Sequence, residues 1–429
     1  MSLIGRLLDK LLKQGSLTLL IPGRAPQTFG PGGGQHLTVR LSDRRTALQI
    51  ARNPRLGVGE AYMDGRLVVE DGSILDLMRL VVGANRWETG GQGRKALRKG
   101  KSVFKSLWRR NPAKRARKNV AHHYDIGNDL YRLFLDDDLQ YSCAYFTDPA
   151  NSLEQAQLDK KAHIAAKLYL EPGQHVLDIG CGWGGTALFL NRVAGVKVTG
   201  VTLSEEQLKV ARERAAAAGV SDQVRFELID YREVEGQFDR IVSIGMFEHV
   251  GAAHYDEFFA KCRQLLKPDG VMLLHTIGKY GKASAPDPFT DKYVFPGYHL
   301  PSLSQIAAST EKARLMTTDI ETLRLHYAYT LRHWLDRATK ARAEIVKMYD
   351  ERFFRMWEFY LAGGIVMFES GAACNYQVQY VRDRRALPVT RDYMLETERR
   401  YREIASKPAP AAKKPRSTGR KKTLEPTDA

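Results

Sequence analysis

The run HVLDIGCGWGG at residues 175–185 constrains the fold more than any other feature of the sequence. Its first residues predict a buried strand, and its glycines predict a sharp turn before a helix over GTALFLNRVAG. Glycine adopts positive φ without strain and lets a ligand approach the backbone closely. In open α/β sheets such ligands lie at the carboxyl ends of the strands. The run therefore predicts an α/β fold with a ligand-binding turn.

Strand-like and helix-like segments continue to alternate after this turn. Further strands are predicted at KVTGVTL (197–203), RFELID (225–230), RIVSIG (240–245) and VMLLHTI (271–277), with KPDG preceding the last of them. The segment SEEQLKVARERAAAAG predicts a helix, in which Ser204 and Gln207 form a capping-box pattern and Gly219 marks the end. This alternation indicates βαβ units and a mostly parallel sheet that is covered on both faces.

The residues around the glycine turn indicate which class of ligand it binds. Gly180, Gly182 and Gly185 fit the spacing GxGxxG, which alone is a weak signal for a dinucleotide. No lysine follows to meet a phosphate, so the turn is not a P-loop. Asp178 lies two residues before the first glycine, where it can accept hydrogen bonds near a cationic ligand. This pattern looks like motif I of the S-adenosylmethionine-dependent methyltransferases. The next strand departs from that class because no acidic residue follows it until Glu205.

Residues 1–82 predict a small amino-terminal α+β domain. Apolar residues at positions 3, 4, 7, 8, 11 and 12 recur at helical spacing. Short strands are predicted at SLTLLIP, HLTVRLS and RLVVED, separated by glycine-rich turns such as FGPGGG, and a helix at SILDLMRLVVG. We find no catalytic constellation in this part of the sequence.

The net charge of +17 is concentrated in two segments. Residues 94–118 hold twelve Lys or Arg and residues 407–422 hold seven, with no acidic residue in either segment. Such segments favour anionic lipid or nucleic-acid phosphate, unless they serve solubility alone. Aromatic and apolar residues (Phe104, Leu107 and Trp108) interrupt the basic linker at 83–118 and favour membrane contact there. Residues 406–429 are rich in Pro, Ala and Lys and are predicted to be disordered.

Other sequence features exclude several classes of protein. No run approaches ~18 apolar residues, and charges interrupt the amino-terminal apolar stretch, so neither a membrane span nor a signal peptide is expected. Four scattered cysteines without CxxC argue against a disulfide scaffold and against a metal site built from cysteines. We therefore expect a cytoplasmic protein without a metal.

Longer motifs occur in order along the chain: GVGEAYMDGRL, YDIGNDLYRLFLDDDLQYSCAYF, GVTLSEEQ, QFDRIVSIGMFEHVG and LRLHYAYTLRHW. With them the chain resembles the cyclopropane-fatty-acyl-phospholipid synthases, a family that includes the mycolic acid cyclopropane synthases. The resemblance covers residues 119 to about 385, and the segment GVGEAYMDGRL resembles the family's small amino-terminal domain. It implies a class I methyltransferase with a Rossmann-like seven-stranded sheet and a helical lid, which we place at residues 119–405.

The resemblance also implies a reaction and its site. A methylene group would pass from S-adenosylmethionine to the cis double bond of an unsaturated acyl chain in a membrane phospholipid, giving a cyclopropane. A bound bicarbonate ion would be the base. The matching site residues are Cys143, Glu248, His249, His275, Ile277 and Tyr327. By this resemblance His275 and Tyr327 donate to the anion, Glu248 accepts from it or orients a neighbour, and Cys143 and Ile277 contribute backbone groups.

The same resemblance implies the cofactor-binding residues. They are Tyr141, Ser142, Asp178, Gly180, Cys181, Gly182, Gly184, Thr202, Leu203, Gln207, Asp230, Tyr231 and Arg232. Tyr124 and Tyr131 are further candidates for packing near the cation. Family members often have a cysteine at the position that Gly364 occupies here, and Cys374 is not its equivalent. Covalent catalysis by cysteine is therefore not expected, and we expect Gly363 and Gly364 to widen the acyl tunnel instead.

Three alternatives remain open from the sequence. The same carbocation could give a methyl- or methylene-branched acyl chain. A nucleic-acid methyltransferase would need an NPPY-like motif or a cysteine beside a proline for its base, and neither is present, so no nucleic-acid partner is expected. A non-catalytic lipid-binding protein would not need an intact glycine turn. The resemblance further implies a homodimer, peripheral on an anionic membrane at the inner face of the cytoplasmic membrane.

Overall fold

The computed structural model describes residues 3–83, 86–88 and 127–407. Its larger sheet has seven strands: β5 (His175–Ile179), β6 (Lys197–Thr202), β7 (Val224–Leu228), β8 (Phe238–Ile244), β9 (Leu266–Gly278), β10 (Met316–Thr322) and β11 (Cys374–Val381). Their order is β10-β11-β9-β8-β5-β6-β7. Strands β5 to β9 pair in parallel with one another, whereas β11 pairs antiparallel with both β9 and β10. The predicted fold class is confirmed.

Both faces of this sheet are buried because helices cover them. Successive side chains of a strand point to opposite faces and therefore contact different helices. Val176 of β5 packs on one face with α6 (Leu153–Lys167), α7 (Gly185–Ala194) and α8 (Glu205–Ala217). Leu177 packs on the other face with α9 (Tyr255–Leu265) and α11 (Leu303–Lys312). Helix α15 (Asp392–Ser406) completes the first layer. The apolar strand runs of the sequence reflect this double burial.

The strand order reverses between β5 and β8. From β5 the chain moves outward through β6 and β7, and it then returns to place β8 on the other side of β5. Such a reversal opens a crevice at the carboxyl ends of the strands, where open α/β sheets bind ligands.

Helices cover this crevice and form the lid. They are α5 (Asn128–Phe134), α10 (Pro288–Tyr293), α12 (His326–Lys340), α13 (Arg342–Met348) and α14 (Glu351–Glu369). Aromatic rings fill the space between them, with Trp334 of α12 and Trp357 of α14 fully buried. Asp350 caps α14 by accepting a hydrogen bond from the backbone of Phe353.

The amino-terminal residues form a second, four-stranded sheet in the order β2-β1-β3-β4. The elements are α1 (Leu3–Leu11), β1 (Gly15–Leu20), β2 (Gln27–Gly32), β3 (His36–Leu41), α2 (Arg44–Arg52), α3 (Pro54–Met63), β4 (Leu67–Val69) and α4 (Ile74–Val82). We call these elements the amino-terminal unit. Its helices α3 and α4 pack on α14. Arg79 of α4 forms two hydrogen bonds with Glu369 of α14, at 3.0 and 2.8 Å, which helps to fix this contact.

Several expectations about local structure were wrong or incomplete. The glycine-rich stretch from Phe29 to Gly32 is not a turn but part of β2, which pairs antiparallel with β1. Strand β9 already begins at Leu266, so KPDG lies inside it, at a shift of register relative to β8. The helices α2 and α3 were not predicted.

Some predicted features lie outside the described residues. These are Tyr124, most of the basic linker at 83–118 and the predicted disordered tail after residue 407. Within the described part of the chain, every helix is too short or too polar to cross a bilayer.

Candidate active site

The glycine turn after β5 has the backbone that its sequence predicts. Gly180, Gly182 and Gly184 have φ values of 84°, 54° and 80°, which are unfavourable for other residues. A Cβ atom on Gly180 would lie 2.8 Å from Cβ of Met246, so the turn also depends on close packing. The backbone N–H groups of Gly180 and Cys181 donate to the carbonyl of Val201 on β6, which fixes the turn at the end of the sheet.

Asp178 is the buried acid of this turn. Its side chain is 2% exposed, and its Oδ2 atom has no hydrogen-bond partner among the described residues. Burial raises the pKa of Asp178 to about 7, although the nearby Lys160 opposes the shift. A buried carboxylate oxygen without a partner is costly. A cationic ligand in the turn would satisfy it, so the site fits the sulfonium and ammonium groups of S-adenosylmethionine.

The strand end of β6 forms a second wall. Ser204 caps α8 by accepting from the backbone of Gln207, but the predicted capping box is incomplete. The Gln207 side chain instead accepts a hydrogen bond from Thr202 Oγ1 at 3.1 Å. In place of the usual acid, this strand end therefore presents a hydroxyl–amide pair.

Asp230, Tyr231 and Arg232 form the third wall after β7. Both Asp230 carboxylate oxygens bind the Arg232 guanidinium, from Nε at 2.9 Å and from Nη2 at 2.7 Å. The guanidinium carbon lies 5.5 Å from the centre of the Tyr231 ring. The pair holds a flat polar surface beside an aromatic ring, which suits a purine.

These walls enclose a cavity of about 150 Å³, which we call the smaller cavity. It is lined by Tyr141, Ser142, Asp178, Gly180, Cys181, Gly182, Thr202, Leu203, Gln207, Asp230, Tyr231 and Arg232. Gly184 is the one predicted cofactor residue outside this lining. A Cβ atom on Gly184 would lie 2.6 Å from the Phe226 ring, so this glycine serves close packing of α7 on the sheet.

A second cavity of about 530 Å³ adjoins the first, and we call it the larger cavity. Its lining includes all six residues that the resemblance implies for the anion site: Cys143, Glu248, His249, His275, Ile277 and Tyr327. The two cavities share Tyr141, Ser142, Gly245 and His249. Ligands in the two cavities would therefore meet at the carboxyl end of β8.

Glu248 lies on a short 3-10 helix, Phe247–His249, that follows β8. One carboxylate oxygen accepts a hydrogen bond from the backbone N–H of Ile277 at 2.6 Å. The other oxygen is buried and lacks a partner within the described structure. Burial raises the pKa of Glu248 to about 7, and the Ile277 N–H partly offsets this. Ile277 thus contributes a backbone group as expected, but the group that receives it is Glu248.

His275 lies on β9 opposite Gln377 of β11. Burial lowers the pKa of His275 well below its ordinary value, so the ring is neutral. Gln377 accepts from Lys167 Nζ at 2.9 Å, so its amide nitrogen faces His275 Nδ1 at 3.2 Å. Nδ1 is then the acceptor and Nε2 carries the proton.

The Nδ2 atom of Asn375 lies 3.0 Å from that Nε2 atom, and Oδ1 of Asn375 is buried without a hydrogen-bond partner among the described residues. With this amide orientation two donors would face each other. Since Nε2–H needs an acceptor, Asn375 must present its oxygen to His275, the amide orientation that the hydrogen-bond network requires. With the amide reversed in this way both His275 nitrogens are occupied, so His275 would orient Asn375 instead of donating directly to an anion. Asn375 lines the larger cavity, and in this orientation its NH₂ group faces away from His275. Asn375 was not predicted from the sequence.

The remaining candidates take supporting positions. Cys143 is fully buried, and burial raises the pKa of its thiol, which disfavours a nucleophilic thiolate. Tyr131 lines neither cavity. Its ring lies 5.1 Å from Tyr141 and 5.1 Å from Trp183, so it supports residues that do line the smaller cavity.

Sequence reasoning also missed a buried lysine. Lys160 on α6 is fully buried and donates to Ser142 Oγ at 3.0 Å and to Gln140. Burial lowers its pKa to about 8. It holds the segment that separates the two cavities. The sequence of α6, LEQAQLDKKAHIAAK, could have indicated buried charges, because it has charged residues on every face although the helix is buried.

The fold and the smaller cavity together define a class I S-adenosylmethionine-dependent methyltransferase. Residues 111–378 match the sequence model of the mycolic acid cyclopropane synthetase family, and the chain belongs to this family. It is 36% identical over 384 residues to a probable fatty acid methyltransferase of Pseudomonas putida, which is 85% of this chain and 93% of the relative. It is 39% identical over 354 residues to the cyclopropane-fatty-acyl-phospholipid synthase of Escherichia coli K12, covering 82% of this chain and 89% of that protein.

Solved structures agree with this assignment. The cyclopropane synthase MmaA2 of Mycobacterium tuberculosis has a TM-score of 0.60 and 32% identity, and the match covers 62% of this chain and 97% of that chain. The mycolic acid cyclopropane synthase CmaA1, complexed with SAH and CTAB, has a TM-score of 0.59 and 34% identity, with the same coverage. The predicted family, enzyme class and cosubstrate, S-adenosylmethionine, are confirmed.

Proposed function

We propose that this enzyme transfers a methylene group from S-adenosylmethionine to the cis double bond of an unsaturated acyl chain in a membrane phospholipid, forming a cyclopropane. The alkene attacks the sulfonium methyl group, the carbon–sulfur bond breaks and S-adenosylhomocysteine leaves. The resulting carbocation loses a proton from the new methyl group, and the electrons of that C–H bond close the ring. One observation carries this proposal: a cofactor cavity with charged and polar groups in its walls adjoins a large, mainly apolar cavity, and the two share four lining residues.

The larger cavity suits a carbocation because water must be kept away from it. Its walls near the shared residues include the rings of Tyr141, Tyr327, Phe295 and Tyr360. Aromatic faces attract cations, so these rings can stabilise positive charge without supplying a nucleophile. The cavity also aligns a weakly nucleophilic alkene with the methyl group, and such positioning is a large part of catalysis.

The site fits bicarbonate on the chemistry of its donors and acceptors. Glu248 has one buried oxygen that needs a hydrogen-bond donor, and bicarbonate has a single O–H group. Asn375, oriented by His275, can offer N–H donors to an anion. When bound, bicarbonate would supply the base that removes the proton from the new methyl group. Glu248, Asn375 and Tyr327 would hold it.

A branched product is the second candidate. The Pseudomonas putida relative is described as a probable fatty acid methyltransferase, and the cyclopropane synthases share the family with it. In the same carbocation, a hydride shift from the methyl-bearing carbon to its cationic neighbour would move the positive charge to the methyl-bearing carbon. Loss of a proton from the methyl group would then leave its C–H electrons as the double bond of a methylene-branched chain. The cavity residues serve both outcomes, so the product itself must be identified.

The test is incubation of the protein with methyl-labelled S-adenosylmethionine and vesicles of cis-unsaturated phospholipid, followed by lipid extraction and mass spectrometry. We expect label in the acyl chains. Mild catalytic hydrogenation should leave a cyclopropane unchanged, whereas a methylene-branched chain would take up hydrogen. Absence of label from the lipid would contradict the proposal. Bicarbonate-depleted buffer should lower the rate, and added bicarbonate should restore it.

A further inference from the structure

The larger cavity extends from the catalytic groups into the interior of the amino-terminal unit. That part of its lining consists of Ile4, Leu7, Leu8, Leu11, Leu17, Leu19, Val39, Leu41, Ile50, Pro54, Arg55, Val58, Leu67, Leu77, Met78, Val81 and Val82. Most of these side chains belong to the core of the unit, and residues such as Leu17 and Leu41 are 2% and 1% exposed. The centre of the unit is thus hollow rather than fully packed. Well-packed cores leave few voids larger than a water molecule, so a cavity of this kind calls for an occupant.

Helix α14 forms the junction between the two parts of the cavity. Gly363 and Gly364 of α14 line it, together with Phe359 one turn earlier. A Cβ atom on Gly363 would lie 3.9 Å from Sδ of Met78 on α4, which is ordinary contact. A Cβ atom on Gly364 would lie only 2.9 Å from Leu331. The glycine pair therefore lets α14 pass between the other lid helices and the amino-terminal unit without filling the cavity at this junction.

Polar groups are distributed unevenly along the cavity. Among the described amino-terminal residues of the lining, Arg55 is the only one with a charged side chain. It lies 3.6 Å from Asp287, just before α10, and both side chains are partly exposed. The interior formed by α1, α4, β1 and β3 is purely apolar. A glycerophosphate group could not be buried there without partners, but a hydrocarbon end could.

We propose that the hollow amino-terminal unit binds the methyl-terminal part of the acyl chain, beyond the double bond that reacts. This inference rests on the proposed function and assigns a role to residues outside the family match, which begins at residue 111. The length of the tail, not only the position of the double bond, then determines how well a chain is used. Each buried methylene would add up to about fourfold in affinity until the space is filled.

The experiment uses the full-length protein and vesicles of phosphatidylglycerol. One chain has a cis double bond at a fixed distance from the ester and either a short or a long tail beyond it, and the second chain is constant. The wild type should show a higher kcat/KM for the long tail. In Gly363→Leu the Cβ fits and the remaining atoms fill the junction, so the ratio of long-tail to short-tail kcat/KM should fall about tenfold. An unchanged ratio, or an equal loss on both substrates, would overturn the proposal.

A second variant, which enlarges the cavity instead of filling it, serves as the test if Gly363→Leu does not fold. Leu41→Ala enlarges the interior and should move the preferred tail to a greater length. Leu48→Ala is the matched control in the same unit, since Leu48 is 41% exposed and lies outside the cavity lining. A second series varies the non-reacting chain. If the variants instead change how kcat/KM depends on the length of the non-reacting chain, that chain occupies the amino-terminal unit and the proposal is wrong.

A binding measurement separates this inference from the proposed function. Saturated fatty acids of increasing length are added to the protein, and the shift of its melting temperature is measured. The shift should grow with length in the wild type and should grow less in Gly363→Leu. If the wild type labels no lipid but shows this length dependence, the proposed reaction fails and the tail site stands. If lipid is labelled but the variants leave every length dependence unchanged, the tail site fails alone.

Discussion

The smaller and larger cavities meet at four residues but are built in different ways. The smaller cavity is formed by strand ends of one sheet, and its lining runs only from residue 139 to residue 250. The larger cavity takes residues from position 4 to position 375 and joins the amino-terminal unit, the lid and the sheet. The first is polar where the cofactor needs partners, and the second is largely apolar. A charged cosubstrate would therefore be held by short-range hydrogen bonds, whereas the proposed hydrocarbon chain would be held by the shape of packed elements.

The shared wall shows what this difference achieves. Lys160 holds Ser142 from behind, and Tyr141 stacks on Trp334 of the lid at 5.1 Å. One side of the wall is thus fixed by a buried polar network and the other by aromatic packing. Substitutions in one cavity that leave the other intact test whether cofactor binding and turnover can be separated.

The largest effect is expected for Glu248→Gln, in the larger cavity. The amide can still accept from Ile277, but it places a donor where Glu248 has a buried acceptor oxygen. Turnover should fall about 10²–10³-fold, the size typical for loss of a buried catalytic hydrogen-bond group. The dissociation constant for S-adenosylmethionine, measured by titration calorimetry, should stay the same.

Glu213→Gln is the matched control, because Glu213 is an exposed residue of α8 that lies outside both cavities. It should leave turnover unchanged. A Glu248→Gln protein whose cofactor affinity falls as far as its turnover would show that Glu248 belongs to the cofactor site.

The next largest effect is expected for Asp178→Asn, in the smaller cavity. The change removes a buried carboxylate from a cationic ligand, and hydrogen bonds to charged groups contribute about 1.5–3 kcal/mol. The dissociation constant for S-adenosylmethionine should rise about 10- to 100-fold. The wild type should also bind more tightly as pH rises through about 7, because Asp178 is neutral below its raised pKa and ionised above it.

Calorimetry on both sides of that pH checks this second point. The pH dependence should disappear in Asp178→Asn and persist in Asp222→Asn, since Asp222 is an exposed acid outside both cavities. If the pH dependence survives in Asp178→Asn, another group, such as Lys160, controls the affinity.

The same contrast explains how much the sequence could predict. The strands β5 to β9 and the glycine turn follow from local patterns of the sequence. The twelve predicted residues of the smaller cavity were implied by the family resemblance, whose motifs lie mostly at the strand ends. The amino-terminal half of the larger cavity could not be predicted. Residues such as Leu17 and Leu41 have the alternation of ordinary core positions, and only tertiary packing leaves a space between them.

Side-chain partners on neighbouring strands of the sheet could not be predicted from the sequence either. Pairing of β9 with β11 places Gln377 opposite His275, a hundred residues away along the chain. No local pattern around His275 reveals that its two ring nitrogens are taken. The resemblance identified His275, but only the register of the strands shows that Asn375 and Gln377 contact its two ring nitrogens.

A smaller effect is expected for Gln377→Glu, which tests this arrangement. A carboxylate cannot donate to His275 Nδ1, so the proton should move to Nδ1, and the nearby negative charge should raise the pKa of His275. Turnover should fall about tenfold, since one hydrogen bond that orients Asn375 is lost. Nitrogen NMR of the imidazole reports which ring atom carries the proton. If Nε2 stays protonated in the variant while turnover falls, Gln377 acts only through packing.

The smallest effect is expected for Cys374→Ser, one residue from Asn375 on β11. Successive side chains of a strand point to opposite faces, so Asn375 lines the larger cavity while Cys374 packs in the core behind it. Burial raises the pKa of Cys374 to about 11, which leaves little thiolate at neutral pH. The hydroxyl groups of Tyr376 and Tyr280 lie close enough to this thiol to lower its pKa partly, so polar groups are already present to accommodate a hydroxyl. Turnover, measured with labelled S-adenosylmethionine, should stay within about twofold, since no step of the proposed chemistry needs a thiolate. Loss of most activity in a folded Cys374→Ser protein would mean that the face of β11 away from the cavity takes part in catalysis.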